Sequence, residues 1–346
     1  MALSSSAGVF FLLNGIQPRT SPVRKKTLLQ LVVPLFVLLI LTAFVGAVYQ
    51  FAESEADIAK HPAPGRLVDV GGYRLHLLCV GQGSPTVIFE AGLADDSLTW
   101  SQVQPAIAKT TRTCSYDRAG HGWSDPSPKL RDAKTIAEEL HTLLNKAGVS
   151  APFILVGHSV GGMYIREYAS LYRPEVEGMV LVDSSSPHQF KRMGPAIIRG
   201  NDDFLRKQSY FQATMPFGWP RLSGWCDHWP AAERDLRRTT ECHLRPWLTH
   251  LQEYKAFDED SNEVFQTDSL GSIPLIVLTE GAATTNDGSN SFGAMQKELV
   301  HLSSQGSQVF VEGGHMIQVD HPDAVIDAVL SVIADVRNGP LRQGLK

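Results

Sequence analysis

The sequence has no surplus of basic residues. Its 31 Lys and Arg against 36 Asp and Glu give a formal net charge of -5, which leaves no electrostatic footprint for nucleic acid. Cysteine is scarce as well: Cys79, Cys114, Cys226 and Cys242 stand apart, at none of the spacings that hold zinc. Four cysteines allow three pairings, and spacing does not choose among them. Cys79 and Cys114 read as buried free thiols, and the state of Cys226 and Cys242 is left open. No motif implies a metal or an organic cofactor. Long apolar runs are few, with one uncharged stretch at 28–49. Against these absences, 43% of the 346 residues are hydrophobic, enough for a full core, and the length suits one large α/β domain with an insertion.

Within the run 28–49 only Gln30, Pro34 and Thr42 interrupt the apolar character. As a helix it is about long enough to cross a hydrocarbon core of roughly 30 Å. Arg24, Lys25 and Lys26 precede it, while Glu53, Glu55 and Asp57 follow. The positive-inside rule then places the N-terminus in the cytoplasm and the rest outside. The alternative is a signal peptide cut near Ser54-Glu55-Ala56 to give a secreted protein, a role for which the apolar core is long. Composition divides the chain into a cytoplasmic segment (1–26), a transmembrane anchor (27–50) and a polar, Pro-stiffened linker (51–65). An α/β core (66–187 and 269–346) follows, interrupted by a helical lid (188–268).

The core is organised around Gly157-His158-Ser159-Val160-Gly161. A buried-strand run, Phe153-Ile154-Leu155-Val156, precedes it and a helical stretch from Met163 follows. A strand passing directly into a helix forces a sharp bend with Ser159 at its apex, so its neighbours must be small. The bend lifts the hydroxyl clear of the sheet and leaves the Val160 N–H at a helix N-terminus, able to donate to an oxyanion. Around this point strands at 66–70, 73–80, 86–89, 112–116, 176–182, 273–279 and 308–311 alternate with helical stretches, among them 98–107 and 135–147. That alternation predicts a mostly parallel, doubly wound sheet. The rhythm breaks over 188–268, which holds Trp219, Trp225, Trp229 and Trp247; helices fit 231–240 and 246–257 there.

A serine nucleophile needs a base, and the base an orienting acid. His315, in Glu312-Gly313-Gly314-His315 after the last strand, is the candidate base. With it the resemblance is plain. Val-Ile-Phe-Glu-Ala-Gly (87–92), Tyr-Asp-Arg-Ala-Gly-His-Gly-Trp-Ser (116–124), Gly-His-Ser-Val-Gly-Gly (157–162) and Gly-Gly-His-Met-Ile-Gln-Val-Asp-His-Pro (313–322) resemble bacterial α/β-hydrolase-fold proteins. The resemblance implies a lid after the sixth strand and hydrolysis through an acyl-enzyme. It allows the acid after either the sixth or the seventh strand. Asp183 ends the sixth; after the seventh the usual Gly-x-x-Asp is missing, with Asp287 late in the loop and Glu280 very early. Asp183 is favoured because a rigid strand end holds geometry better than a long loop. Leu93 and Val160 are the candidate backbone donors of an oxyanion hole, since Glu90-Ala91-Gly92-Leu93 replaces the His-Gly of many relatives. Glu90 is read as pairing with Arg118, and His121 and Asp125 as bracing their loop.

Dehalogenases and epoxide hydrolases of this fold use an aspartate at the elbow, against which Ser159 argues. The sequence therefore reads as a serine hydrolase acting on a small-molecule acyl substrate and held to a membrane by its N-terminal helix. An acyltransferase on the same residues, or a binding protein on a hydrolase scaffold, are the alternatives. The oligomeric state is not legible.

Overall fold

The computed structural model describes residues 22–193, 195–229, 231, 233–265, 269–281 and 292–339. It opens on α1 (Pro22–Lys60), whose consecutive residues Leu35 to Leu41 are all exposed and pack on no core; the helix is long and apolar enough to cross a membrane. The segment read as a linker is corrected here: α1 continues through 51–60 and docks on the lid. Those ten residues contain neither Gly nor Pro, and the helix stops only where Pro62 restricts His61.

β1 (Arg66–Asp69) and β2 (Arg74–Val80) form an antiparallel hairpin. They are followed by β3 (Thr86–Glu90), a short α2 (Gln104–Ile107) and β4 (Thr113–Tyr116). Then come α3 (Ala133–Lys146), β5 (Phe153–His158), α4 (Gly161–Leu171) and β6 (Val176–Val182). The lid supplies α5 (Gln189–Met193), α6 (Pro195–Thr214), α7 (Trp219–Leu222), α8 (Arg234–Glu241) and α9 (Leu244–Phe265). The chain returns as β7 (Leu275–Glu280), α10 (Phe292–Val300), β8 (Gly306–Val311), α11 (Ile317–Asp320) and α12 (Pro322–Asn338). The helix expected over 98–107 is instead a 3-10 turn at Ser97–Trp100 followed by α2.

Among the described residues eight strands make one sheet in the order β1-β2-β4-β3-β5-β6-β7-β8. β2 is antiparallel to both its neighbours, and every pair from β4 to β8 is parallel. Side chains alternate across it. Leu155 packs with Ile88, Leu181 and Val277 beneath α3 and α4, while Ile154 and Val156 pack with Val87 and Val180 beneath α12. A central strand apolar on both faces is thereby covered on both sides.

The free-thiol reading of Cys79 and Cys114 is also corrected. β2 pairs with β4 so that Cys79 lies opposite Cys114, their Cα atoms 4.1 Å apart, and the sulfurs are bonded. The two strands flank β3 in the chain yet are neighbours in the sheet, which chain order does not reveal. Cys226 and Cys242 form a second disulfide, inside the lid. It sits in a small core of the lid's own with Met215, Trp225 and Trp247.

Candidate active site

The site lies at the carboxyl ends of the parallel strands, where ligands bind in open α/β sheets. β5 runs directly into α4 through Ser159, whose φ is 53°. That conformation is costly for a residue with a Cβ and holds only because its surroundings fix it. Here Ser159 N–H donates to Val182 O at 3.0 Å, and Ser159 O accepts from Ser185 N–H at 2.8 Å. The flanking glycines are demanded by space. A Cβ on Gly157 would lie 2.7 Å from Gly161 O, and one on Gly161 would lie 2.5 Å from Ala91 O. Among the described residues, Ala94 and Asp183 are also non-glycines at positive φ, 64° and 42°, so backbone strain gathers on this rim.

The structure places the other candidates as follows. His315 Nδ1 lies 2.6 Å from Asp183 Oδ2. Asp183 is fully buried and its Oδ1 accepts the Glu280 N–H at 3.0 Å, so both carboxylate oxygens are held. Glu280 thus meets Asp183 through its backbone; its own carboxyl is raised by partial burial and then by the Asp183 charge. Asp287 lies outside the described residues. Ser159, Val160, Leu93 and His315 all line one cavity of about 840 Å³. Among the described residues no hydrogen bond joins the Ser159 hydroxyl to the His315 ring; such contacts are commonly long before substrate binds. Val160 is the N-cap of α4, and Leu93 follows the Gly92 that passes beside the Ser159 Cβ.

Two positioning features escaped the sequence. His158 Nε2–H donates to His315 O at 3.0 Å, tying the loop after β8 to the elbow. Burial, and then the neighbouring His315, push the His158 ring down to about 4, so it serves as a neutral donor. The second is a charge network around Arg118. Its guanidinium donates to both oxygens of Glu253, at 2.9 and 3.0 Å, to Glu90 at 2.8 Å, and to the carbonyls of Ala91 and Gly92 at 2.8 Å each. With those two carbonyls fixed, the loop leading to the Leu93 N–H has a defined path. The Glu90–Arg118 pair was legible; Glu253, contributed by α9 of the lid, was not. Burial raises Glu90 to about 7, with Tyr116 also bonded to it. Glu253 is buried too, yet the Arg118 charge holds it well below the usual carboxylate range. His121 Nε2 approaches Glu253 at 3.2 Å, and Asp125 pairs with Arg74 at 2.8 Å, both bracing contacts.

The lid closes the cavity with Phe190, Phe204, Tyr254 and Phe257. At one end Arg237, buried, reaches Asp95 at 3.2 Å and Glu241 at 3.0 Å and lies over Trp229. The cavity wall is thus largely apolar, with aromatic side chains from the lid, and carries a charged cluster in which Arg237 faces Asp95, Glu233 and Glu241. Among the described residues no group of three His, Cys, Asp or Glu could hold a metal ion.

Strand order, elbow and covering lid define a hydrolase fold, and the chain belongs to the alpha/beta hydrolase family, whose family model matches residues 87–328. Among curated relatives, the soluble epoxide hydrolase of Corynebacterium sp. (strain C12) is 25% identical over 299 residues, covering 78% of this chain and 96% of that protein. The matches to the first curated relatives span half of their length or less, 19% and 49% for the first two. Among solved structures, a haloalkane dehalogenase DbeA variant from Bradyrhizobium elkanii aligns with a TM-score of 0.62 at 16% identity, over 80% of this chain and 98% of that one. A thermophilic esterase from Thermogutta terrifontis aligns at 0.57 and 18% identity, over 78% and 98%. At these identities the structural likeness speaks for the fold.

Proposed function

We propose that the protein is a serine hydrolase that cleaves a carboxylic ester, or a related acyl bond, through an acyl-enzyme. The observation that carries this reading is Ser159 at a strained elbow on the same cavity as a His315–Asp183 pair. A haloalkane dehalogenase and an epoxide hydrolase share the scaffold, but the elbow side chain here is a hydroxyl. Ser159 Oγ attacks the acyl carbon while its proton passes to His315 Nε2. Asp183 holds the ring by Nδ1–H and stabilises the imidazolium. The Val160 and Leu93 N–H groups receive the oxyanion. Collapse expels the alcohol, which takes the proton from His315; water then repeats the sequence and releases the acid. The aromatic lining fits an apolar acyl portion.

On the same footing α1 is an uncleaved single-pass anchor, N-terminus cytoplasmic and catalytic domain outside. Its length and composition support this, and so do two disulfides in the folded domain, which persist in oxidising compartments. The test is labelling of the full chain by a fluorophosphonate, with a screen of p-nitrophenyl esters of graded chain length. The expected result is labelling and turnover that Ser159→Ala abolishes without loss of fold. Unlabelled protein, or near-normal turnover in Ser159→Ala, would overturn the proposal.

A further inference from the structure

We propose that the lid turn Met215–Leu222 is a membrane foot, seated in the interfacial zone of a phospholipid bilayer beside the point where α1 leaves it. The inference rests on the anchor reading of α1 and adds to it a second, separate contact with lipid.

The depth of the turn is recorded in its contacts with α1. The Phe217-Gly218 backbone lies directly against the helix at Gly46 and Tyr49. A Cβ on Gly46 would sit 2.3 Å from Phe217 O, and one on Gly218 would sit 3.0 Å from Tyr49 Cδ1. Both approaches need glycine, and Gly218 has φ of 74° besides. Gly46 and Tyr49 belong to the last turn of the uncharged run. Polar contacts between α1 and the lid begin with the next residue. Gln50 Nε2–H donates to Cys242 O at 2.7 Å, Asp57 pairs with Arg221 at 2.7 Å, and Lys60 pairs with Asp235. From Gly46 to Gln50 the helix rises about 6 Å. The turn therefore sits at the level where hydrocarbon gives way to headgroups.

The turn is also built for that level. It exposes Phe217 by 47%, Trp219 by 51% and Leu222 by 63%, and Tyr210 on the preceding helix by 49%. Trp219 is the most exposed tryptophan among the described residues. Aromatic side chains of this kind concentrate at membrane–water interfaces. The one charged residue of the turn, Arg221, is committed to Asp57 rather than to solvent. A soluble partner covering these residues would have to enter the zone occupied by lipid around α1. From this foot α6 leads back to Phe204 on the cavity wall, about 15 Å along the helix from Thr214. The cavity is thus held at a fixed height above the bilayer, suited to amphiphilic esters that partition into it.

The experiment uses the full chain in phosphatidylcholine vesicles, with acyl chains either plain or brominated close to the headgroup. Co-flotation with vesicles through alkaline carbonate reads the anchor; quenching of tryptophan emission by bromine reads the foot. The expected result is co-flotation with loss of about one sixth of the emission, Trp219 being one of 6 tryptophans, and disappearance of that loss in Trp219→Phe. Phe217→Ser with Leu222→Ser should reduce the quenching while leaving co-flotation intact. Co-flotation with equal quenching in wild type and Trp219→Phe, or with none, would overturn the foot and leave the anchor standing. Failure to co-float would overturn both. Self-association in detergent that Trp219→Ser abolishes, without quenching by lipid, would assign the patch to a second copy and likewise overturn it.

Discussion

Asp183→Asn is the perturbation that tests whether Asp183 is the acid of the proposed triad. The carboxylate is fully buried, with one oxygen on the Glu280 N–H at 3.0 Å and the other on His315 Nδ1 at 2.6 Å. An amide of the same shape can keep the first bond through its oxygen. It must then present its NH2 to Nδ1, which accepts only when that nitrogen carries no proton. The imidazole proton moves to Nε2, the nitrogen that has to accept from Ser159, and the counter-charge for the imidazolium is lost as well. A wrong tautomer in such a triad costs ~10⁴ in kcat, or about 5.4 kcal/mol of barrier at 1.36 kcal/mol per tenfold. The expected outcome is a loss of that order in kcat on a p-nitrophenyl ester, with KM and the thermal midpoint little changed. Glu280→Gln should lose less than about tenfold, because Glu280 acts through its backbone and not its side chain. Asp183→Asn retaining more than about a tenth of kcat in a folded protein, or Asp287→Asn emerging as the crippled variant, would refute the reasoning.

Removing the lid's carboxylate with Glu253→Gln leaves Arg118 buried with one fewer counter-charge. The expected cost is about 3–5 kcal/mol, read as a lower urea midpoint at unchanged slope; an unshifted midpoint would contradict the network's role. Acid should destabilise the fold through its buried histidines. Burial holds His250 at about 3 against an ordinary 6.5, so its neutral ring contributes fully above pH 6.5 and ever less as pH falls toward 3. The loss reaches about 1.4 kcal/mol per pH unit per ring. Glu90, raised to about 7, acts in the opposite sense, so the measurement is the difference between wild-type and His250→Gln melting profiles from pH 7 to 5. The wild type should fall more steeply. Replacing the lid disulfide with Cys226→Ala and Cys242→Ala opens a loop of 16 residues and should cost about 3 kcal/mol in the chain-entropy account; an unchanged thermal midpoint would mean that aromatic packing alone holds the lid.

What could be read from the chain was whatever is encoded locally. The bend at Ser159 needs a buried strand, small neighbours and a helix within about ten residues, and all three are adjacent in sequence. The Gly-Gly turn before His315 is equally local. Asp183 was legible as a strand end, although only the sheet brings it to His315, since β6 and β8 are separated by β7. What could not be read depends on partners chosen by the sheet or the lid. Cys79 meets Cys114 because β4 lies between β2 and β3. Glu253 meets Arg118 across 135 residues. The helix α6 was not read from the chain. The extension of α1 to Lys60 was visible in principle, for Glu, Ala and Asp without a breaker continue a helix as readily as they form a tether.

The Arg118 junction also bears on how the molecule can be built and cut. One guanidinium joins the turn after β3, the loop after β4 and a helix more than a hundred residues later. The covering helices are not a detachable accessory. A core given covering helices that carry no carboxylate at the position of Glu253 inherits Arg118 without its bidentate partner. Grafts intended to change substrate range must carry a carboxylate to that point, or remove Arg118 together with Glu90.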